Sequence, residues 1–242
     1  MGETGKRLII VAVDGPAGSG KSSICAGACR ALGWSYVNTG ALYRAVGLIA
    51  QDRGIDLNNE KAVGTLLERI APEMRWDHAT GRLFVGETDI TPRLGSVEAG
   101  NGASFIAKQP LVRSLLLPLQ RDLVRQARSG GGVLVDGRDI GTVVFPDATL
   151  KIFMTASLEE RARRRLEQLG GAGRSSGSST SVETPTLEHV MREIEKRDMQ
   201  DAQRDAAPMK KSPDAITFDT SGLKLDAGVA KFIALLREHI PE

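Results

Sequence analysis

Cysteine is nearly absent: Cys25 and Cys29 are the only two in 242 residues. A pair four positions apart builds no disulfide framework, and no Cys/His set stands near it to hold zinc. The reading is two small, buried or half-buried residues on one helix face, in a chain suited to a reducing compartment. Aromatic residues make up 4%, too few for a stacking platform for single-stranded nucleic acid. Charge of one sign is also lacking: 32 Lys+Arg against 30 Asp+Glu leave a net +2. That balance excludes a dedicated DNA binder or a polybasic membrane tail. No apolar run approaches the ~18 residues of a membrane span. The run Leu8–Val13 stops at Asp14 and is too short for a signal-peptide core, and Lys6 stands where myristoylation needs Ser or Thr. The expectation is a cytoplasmic protein with neither nucleic acid nor membrane as partner.

What is present is globular. Hydrophobic residues are 41% and charged residues 26%, and a chain this long hides about 70–75% of its unfolded surface. Residues 8–13 (LIIVAV) form a continuous β-branched run, the pattern of a strand buried on both faces. Further strands are expected at Tyr36-Val37, 131–136, 150–156 and 215–221, and helices at 41–52, 61–70, 96–128, 157–169, 186–205 and 226–239. Pro118 is an expected kink, and Ser157 with Glu160 reads as a capping box. Residues 74–90 alternate apolar and polar around Ala79-Thr80-Gly81, a β-hairpin inserted between helices. The Gly/Ser tract 170–181 is low-complexity. Strands alternating with helices give an α/β fold with a mostly parallel sheet covered on both faces.

Gly15-Pro16-Ala17-Gly18-Ser19-Gly20-Lys21-Ser22 fits G-x-x-x-x-G-K-[ST]. Glycines let the loop wrap with its N–H groups inward, and the helix that follows adds a positive end. Lys21 reaches the β/γ-phosphates of a nucleoside triphosphate, and Ser22 or Ser23 faces Mg²⁺. Asp136 ends a hydrophobic strand, the usual place for the acid that holds Mg²⁺ directly or through water. No N-K-x-D is present, which lowers a GTPase reading.

Three further blocks carry a family resemblance: Asn38-Thr39-Gly40-Ala41-Leu42-Tyr43-Arg44; the run 136–148, DGRDIGTVVFPDA; and Arg197-Asp198-x-x-Asp201-x-x-Arg204. Together they resemble bacterial cytidylate (CMP) kinases from about residue 8 to the C-terminal helix. The resemblance implies a P-loop kinase: a parallel-sheet core (about 8–40, 130–156 and 213–242), a nucleotide-binding insert with the hairpin (about 41–128) and a small lid (about 157–205). It implies transfer of phosphate from ATP to CMP or dCMP, and a monomer. It places Arg44, Arg138 and Arg204 on the acceptor phosphate with Thr39 assisting in the Tyr43-Arg44 block, and Arg197 and Asp201 on the sugar. It places Ser104, Arg113 and Asp139 on cytosine. Lys21, Arg138, Arg197 and Arg204 are the expected catalytic residues.

Residue chemistry points the same way. A monophosphate acceptor is already an anionic nucleophile, so it needs arginines and Mg²⁺ to hold two anions in line, and no general base. His78, His189 and His239 lie outside every motif. A guanidinium suits cytosine O2 and N3, and a carboxylate accepts from the amine. Arg161 and Arg165, four apart, reach the ATP phosphates on one reading and form a solvated basic face on the other. Arg197, Asp201 and Arg204 share a helix face, as a surface ion-pair helix would also have it. Two other readings stand beside this one: a P-loop kinase of another small acceptor such as shikimate, and a catalytically silent ATP-dependent sensor. The sequence also departs from the family pattern. Asn38 stands where Asp is usual, Lys21-Ser22-Ser23 replaces Lys-Gly-Thr, and the I-R-[ST] run reads Leu94-Gly95-Ser96 with Arg93 displaced.

Overall fold

Parallel strands form the centre of the molecule, and the alternation of their side chains divides the core in two. The computed structural model describes residues 8–127, 131–172, 185–204 and 206–240. Strands β1 (Ile9–Asp14), β2 (Ser35–Asn38), β6 (Gly132–Asp136), β7 (Leu150–Thr155) and β8 (Ile216–Asp219) lie in the order β2-β6-β1-β7-β8, every pairing parallel. Successive residues of a strand face opposite sides of the sheet. Val11 and Val13 accordingly pack on one face with α1 (Lys21–Leu32) and α8 (Leu225–His239), around Ile24, Phe232 and Leu236. Ala12 turns to the other face, where Val133 and Val135 meet α2 (Thr39–Asp52). A strand buried on both sides explains why Leu8–Val13 reads as an unbroken apolar run rather than an alternating one.

Cys25 and Cys29 are buried on the inner face of α1, as their spacing indicates. The Cys29 thiol donates to the Ser35 carbonyl at 3.1 Å. Burial raises the Cys25 thiol far above its usual range and pushes Cys29 up to about 12.

Between β2 and β6 the chain makes a second unit. It comprises α3 (Glu60–Ile70), a small sheet of β3 (Met74–Asp77), β4 (Arg82–Val85) and β5 (Thr88–Asp89), then α4 (Val97–Ile106) and α5 (Pro110–Arg125). The expected hairpin is there, with a third strand after Gly86, which sits at φ +58°. The Asp77 carboxylate accepts from the Ala79 and Thr80 N–H groups and holds the turn. Trp76 donates its indole N–H to the Tyr36 carbonyl at 2.7 Å, pinning the hairpin to the edge of the main sheet. The single helix expected over 96–128 is two helices. The break falls at 107–109, where Gln109 precedes Pro110, and Pro118 lies inside α5 without ending it.

Helices α6 (Leu158–Ala172) and α7 (Leu187–Ala202) pack on each other around Ala162, Val190 and Ile194. Ser157 caps α6 by accepting from the Glu160 N–H, but the reciprocal half of the capping box is absent. The Ser157 N–H goes to Ser221 Oγ, and the Glu160 carboxylate pairs with Arg164. The Gly/Ser tract 170–181 begins as the end of α6, and its residues from 173 on lie outside the described residues.

Candidate functional site

The carboxyl end of β1 runs directly into the glycine-rich loop. Gly15, at φ +145°, is required by packing as well as backbone: a Cβ there would lie 1.9 Å from the Met154 carbonyl oxygen of β7. Gly18 and Gly20 are also left-handed, at φ +78° and +86°. α1 starts at Lys21 with no side-chain cap and no acid in its first turn. Its first N–H groups and the positive end of its dipole are therefore available to an anion. Ser19 braces the loop by donating to Pro16, and Thr220 donates to the Ser19 carbonyl at 2.8 Å.

Lys21 is buried with its Nζ donating to the carbonyls of Gly15 and Pro16, each at 2.8 Å. Burial, with Arg138 adding to it, lowers its pKa to about 7. Ser22 and Ser23 are both exposed, but Ser22 donates to Asp136 Oδ2 at 2.6 Å while Ser23 lies beside α8. Ser22 is therefore the hydroxyl that faces the acid. Tyr36 donates to the same Oδ2 at 3.0 Å, and Asn38 Nδ2 to Ser22 Oγ at 3.4 Å. The Thr39 hydroxyl donates to the Asp136 carbonyl at 2.9 Å.

No group of three or more His, Cys, Asp or Glu able to hold a metal exists among the described residues. Ser22 Oγ and Asp136 Oδ2 are hard oxygen donors 2.6 Å apart. That suits Mg²⁺, which is commonly bound through one or two carboxylates with phosphates and water completing the octahedron.

Opposite the loop, arginines gather from elements distant in sequence. Arg44 on α2 donates to the Leu94 carbonyl at 3.1 Å. Arg138, just beyond β6, donates from Nε to Asp201 Oδ2 at 3.1 Å, and Arg204 Nη1 lies 3.7 Å from Asp201 Oδ1. Burial lowers the pKa of Arg44, and of Arg197 to about 10; Arg138 and Arg165 depress both further. Mutual repulsion of this kind marks a concentration of positive charge that an anion relieves. Arg197 Nε and Arg204 Nε and Nη2 are buried without a hydrogen-bond acceptor, a costly state that an oxygen-rich ligand would end.

Of the residues expected at cytosine, Arg113 and Asp139 meet. Arg113 on α5 pairs through Nη2 with Asp139 Oδ2, donates from Nη1 to the Ala107 carbonyl, and lies over the Tyr43 ring at 5.7 Å. Burial raises the Asp139 pKa against the pull of Arg113. Ser104, on α4, donates back to the Gly100 carbonyl. Arg93 instead forms a two-pronged pair with Asp52, at 2.6 and 2.8 Å and half exposed, on the surface.

The two candidates on α6 part company. Arg165 is half-buried and faces the arginine cluster, with Gln168 at 3.5 Å as its hydrogen-bond partner. Arg161 is buried and fastened: Nε to the Ala156 carbonyl, Nη1 to the Ala17 carbonyl and to Asp198. The sequence assigns no role to Asp14, Tyr36 or Thr220, and it shows Asp198 only as a member of the Arg197–Arg204 block. Asp14 accepts from the N–H groups of Ile140 (2.7 Å) and Gly141 (2.8 Å), and burial raises its pKa to about 6. It ties the phosphate loop to the segment carrying Arg138 and Asp139. One signal for it was available: it ends a buried strand, as Asp136 does.

Comparison with known proteins bears on this geometry. The family model described as cytidylate kinase matches residues 11–238. A cytidylate kinase from an Exiguobacterium species is 42% identical over 235 residues, covering 97% of this chain and 99% of its own length. One from Pelodictyon phaeoclathratiforme is 41% identical, covering 97% of each chain. One from Geobacillus thermodenitrificans is 39% identical, covering 97% and 99%. With a phosphate loop facing an arginine cluster, and similarity running nearly end to end, the chain belongs to the cytidylate kinase family.

Proposed function

We propose that the protein transfers the γ-phosphoryl group of ATP to CMP or dCMP, giving ADP and CDP or dCDP. The observation that carries this reading is the cluster of half-buried arginines (Arg44, Arg138, Arg197 and Arg204) gathered near Lys21 and Asp136. It is built for an acceptor that is itself an anion. The loop Gly15–Ser22 and Ser23 would take the donor phosphates, with Lys21 leaving its loop carbonyls for the β/γ-oxygens. Arg165, and the Nη2 edge of Arg161, would meet the same phosphates from α6. Ser22 and Asp136 would hold Mg²⁺, which neutralises charge on the transferring group.

On the acceptor side, Arg44, Arg138 and Arg204 would grip the CMP phosphate beside Thr39, and Arg197 and Asp201 the sugar. Ser104, Arg113 and Asp139 would read cytosine along the side of Tyr43. The acceptor oxygen needs no base, so the residues act by holding two anions in line and by stabilising charge as it spreads over the transferred group. Lys21, Arg138, Arg197 and Arg204 carry that stabilisation. The core, the insert and the α6–α7 lid form one kinase unit acting as a monomer on small nucleotides in the cytoplasm.

An ADP-release assay over CMP, dCMP, UMP, AMP and shikimate tests this. CMP or dCMP is expected to be the best acceptor. Preference for shikimate would move the protein to another acceptor class, and no turnover with any acceptor would favour a sensor.

A further inference from the structure

Asp198 lies outside the residues that the transfer itself needs, and its pairing with Arg161 joins the two halves of the site. Arg161, on α6, has its guanidinium fixed by the Ala17 carbonyl of the phosphate loop and by Asp198 of α7. The backbone is in contact as well: a Cβ on Gly18 would lie 3.0 Å from Arg161 Cβ and 3.2 Å from its carbonyl oxygen. α6 thus rests directly on the loop that takes the donor phosphates. Arg164, one turn of the same face away, anchors α6 to the core through Thr220 and Leu223.

α7 is held differently. Its apolar contact with α6 is small, centred on Ala162, Val190 and Ile194. Two carboxylates fasten it: Asp201 reaches Arg138 beyond β6, besides its local pair with Arg204, and Asp198 reaches Arg161. Residues 197 and 201 share one helix face, and 198 is turned about 100° from 197. One turn of α7 is therefore gripped by the acceptor arginines on one side and by the donor loop, through Arg161, on the other. Asp198 Oδ1 remains buried without a partner, so Oδ2 and its ion pair carry the attachment.

We infer that Arg161 and Asp198 are a positioning pair that makes donor and acceptor binding interdependent. A shift of the Ala17 peptide around bound phosphates moves Arg161, and through Asp198 the turn of α7 that carries Arg197 and Asp201. Acceptor binding at that turn acts back on the loop by the same amount, since coupling between two sites is reciprocal. The inference rests on the reading of the chain as a CMP kinase.

Calorimetric titration of the full chain tests it. CMP is titrated alone and in the presence of a non-hydrolysable ATP analogue with Mg²⁺, and the converse titration closes the cycle. The wild type is expected to bind CMP about 5- to 150-fold more tightly with the analogue present, the ordinary range of site coupling. Asp198→Asn keeps the shape and removes the charge, and should bring that ratio toward one while each nucleotide alone binds within about threefold of wild type. Asp198→Glu should retain most of the coupling. Arg161→Lys, which cannot span Ala17 and Asp198 together, should lose it even if its affinity for the analogue falls separately. Undiminished coupling in Asp198→Asn and Arg161→Lys overturns the inference. So does equal weakening of both binary affinities in Asp198→Asn with the ratio preserved, the pattern of a merely structural ion pair. Wild-type turnover of CMP with a coupling ratio of one removes the pair's role alone, whereas no turnover of CMP removes the functional reading and this inference with it.

Discussion

The two halves of the proposed site, donor and acceptor, are made from different materials. On the donor side, backbone does the work: left-handed glycines at 15, 18 and 20, the bare start of α1, and carbonyls that hold Lys21. On the acceptor side, side chains do it. Arg113 of α5 pairs with Asp139, Arg138 beyond β6 and Arg204 beyond α7 pair with Asp201, and Arg44 of α2 lies near Asp136. A backbone site is compact in sequence because eight consecutive residues set its shape. A side-chain site is dispersed, and its geometry exists only after the sheet has brought the elements together. The donor half should therefore fail by collapse of the loop, and the acceptor half by graded loss of affinity or selectivity.

Lys21 is the charged side chain of the loop itself, and it should give the largest effect. Lys21→Ala is expected to cut turnover about 10³-fold, the scale of one lost charge-stabilising donor. Circular dichroism should show the fold kept, since the change relieves a buried ammonium. A folded variant with near-normal turnover would remove the mechanism. Next in size is Gly15→Ala, whose methyl group would meet the Met154 carbonyl. A loss of roughly 2–4 kcal/mol in unfolding free energy is expected, from overpacking and backbone strain. An unchanged denaturation midpoint would mean the loop is less dependent on backbone than described.

On the acceptor side, Asp139→Ala should act on selectivity. Cytosine offers an amine to the carboxylate where uracil offers a carbonyl oxygen. Leaving a buried polar group unpaired costs about 1–3 kcal/mol, so the CMP/UMP ratio of kcat/KM should fall about 5- to 150-fold. Arg113→Ala should weaken both substrates, because O2 is common to the two bases. The structure sharpens this test, since Asp139 pairs with Arg113. If Asp139 only braces that arginine, CMP and UMP activity will fall by one shared factor.

The smallest effect is a pH dependence. With its pKa near 7, because burial disfavours its charge, Lys21 is largely neutral at pH 8 in the free protein. Triphosphate binding favours the ammonium, so binding at pH 8 should take up a proton, and affinity should fall as pH rises from 7 to 9, by at most about tenfold per unit. Calorimetry in buffers of different ionisation heat measures the uptake, and Lys21→Met should abolish it. The same residue should make the free protein's stability rise with pH between about 7 and 10.5. There the unfolded chain holds a proton at Lys21 that the folded chain does not.

The same contrast explains what could be read in advance. β1, the loop and α1 were legible because local chemistry dictates them. The acceptor set was legible only through resemblance to a family, since no spacing rule joins Arg44 to Arg204. Arg161 and Arg165 show the limit plainly. Their spacing puts them on one face, yet one is locked to Ala17 and Asp198 while the other lies near Arg197. Which neighbour a helix face meets is a tertiary fact. The third strand of the insert escaped notice because Thr88–Asp89 is too short to show alternation. Tyr36 read only as a strand residue, and its bond to Asp136 depends on β2 lying beside β6.

The two thiols behind the phosphate loop have a practical consequence. Cys25 and Cys29 are 0% and 4% exposed and held in the protonated, unreactive form. Maleimide dyes attack thiolates at the surface, so the native chain should remain dark under brief labelling. A single cysteine introduced at an exposed site on α7, paired with another on the hairpin turn, would then take up probes without any native residue being removed. Energy transfer between them would report, molecule by molecule, the distance between α7 and the hairpin as each nucleotide arrives.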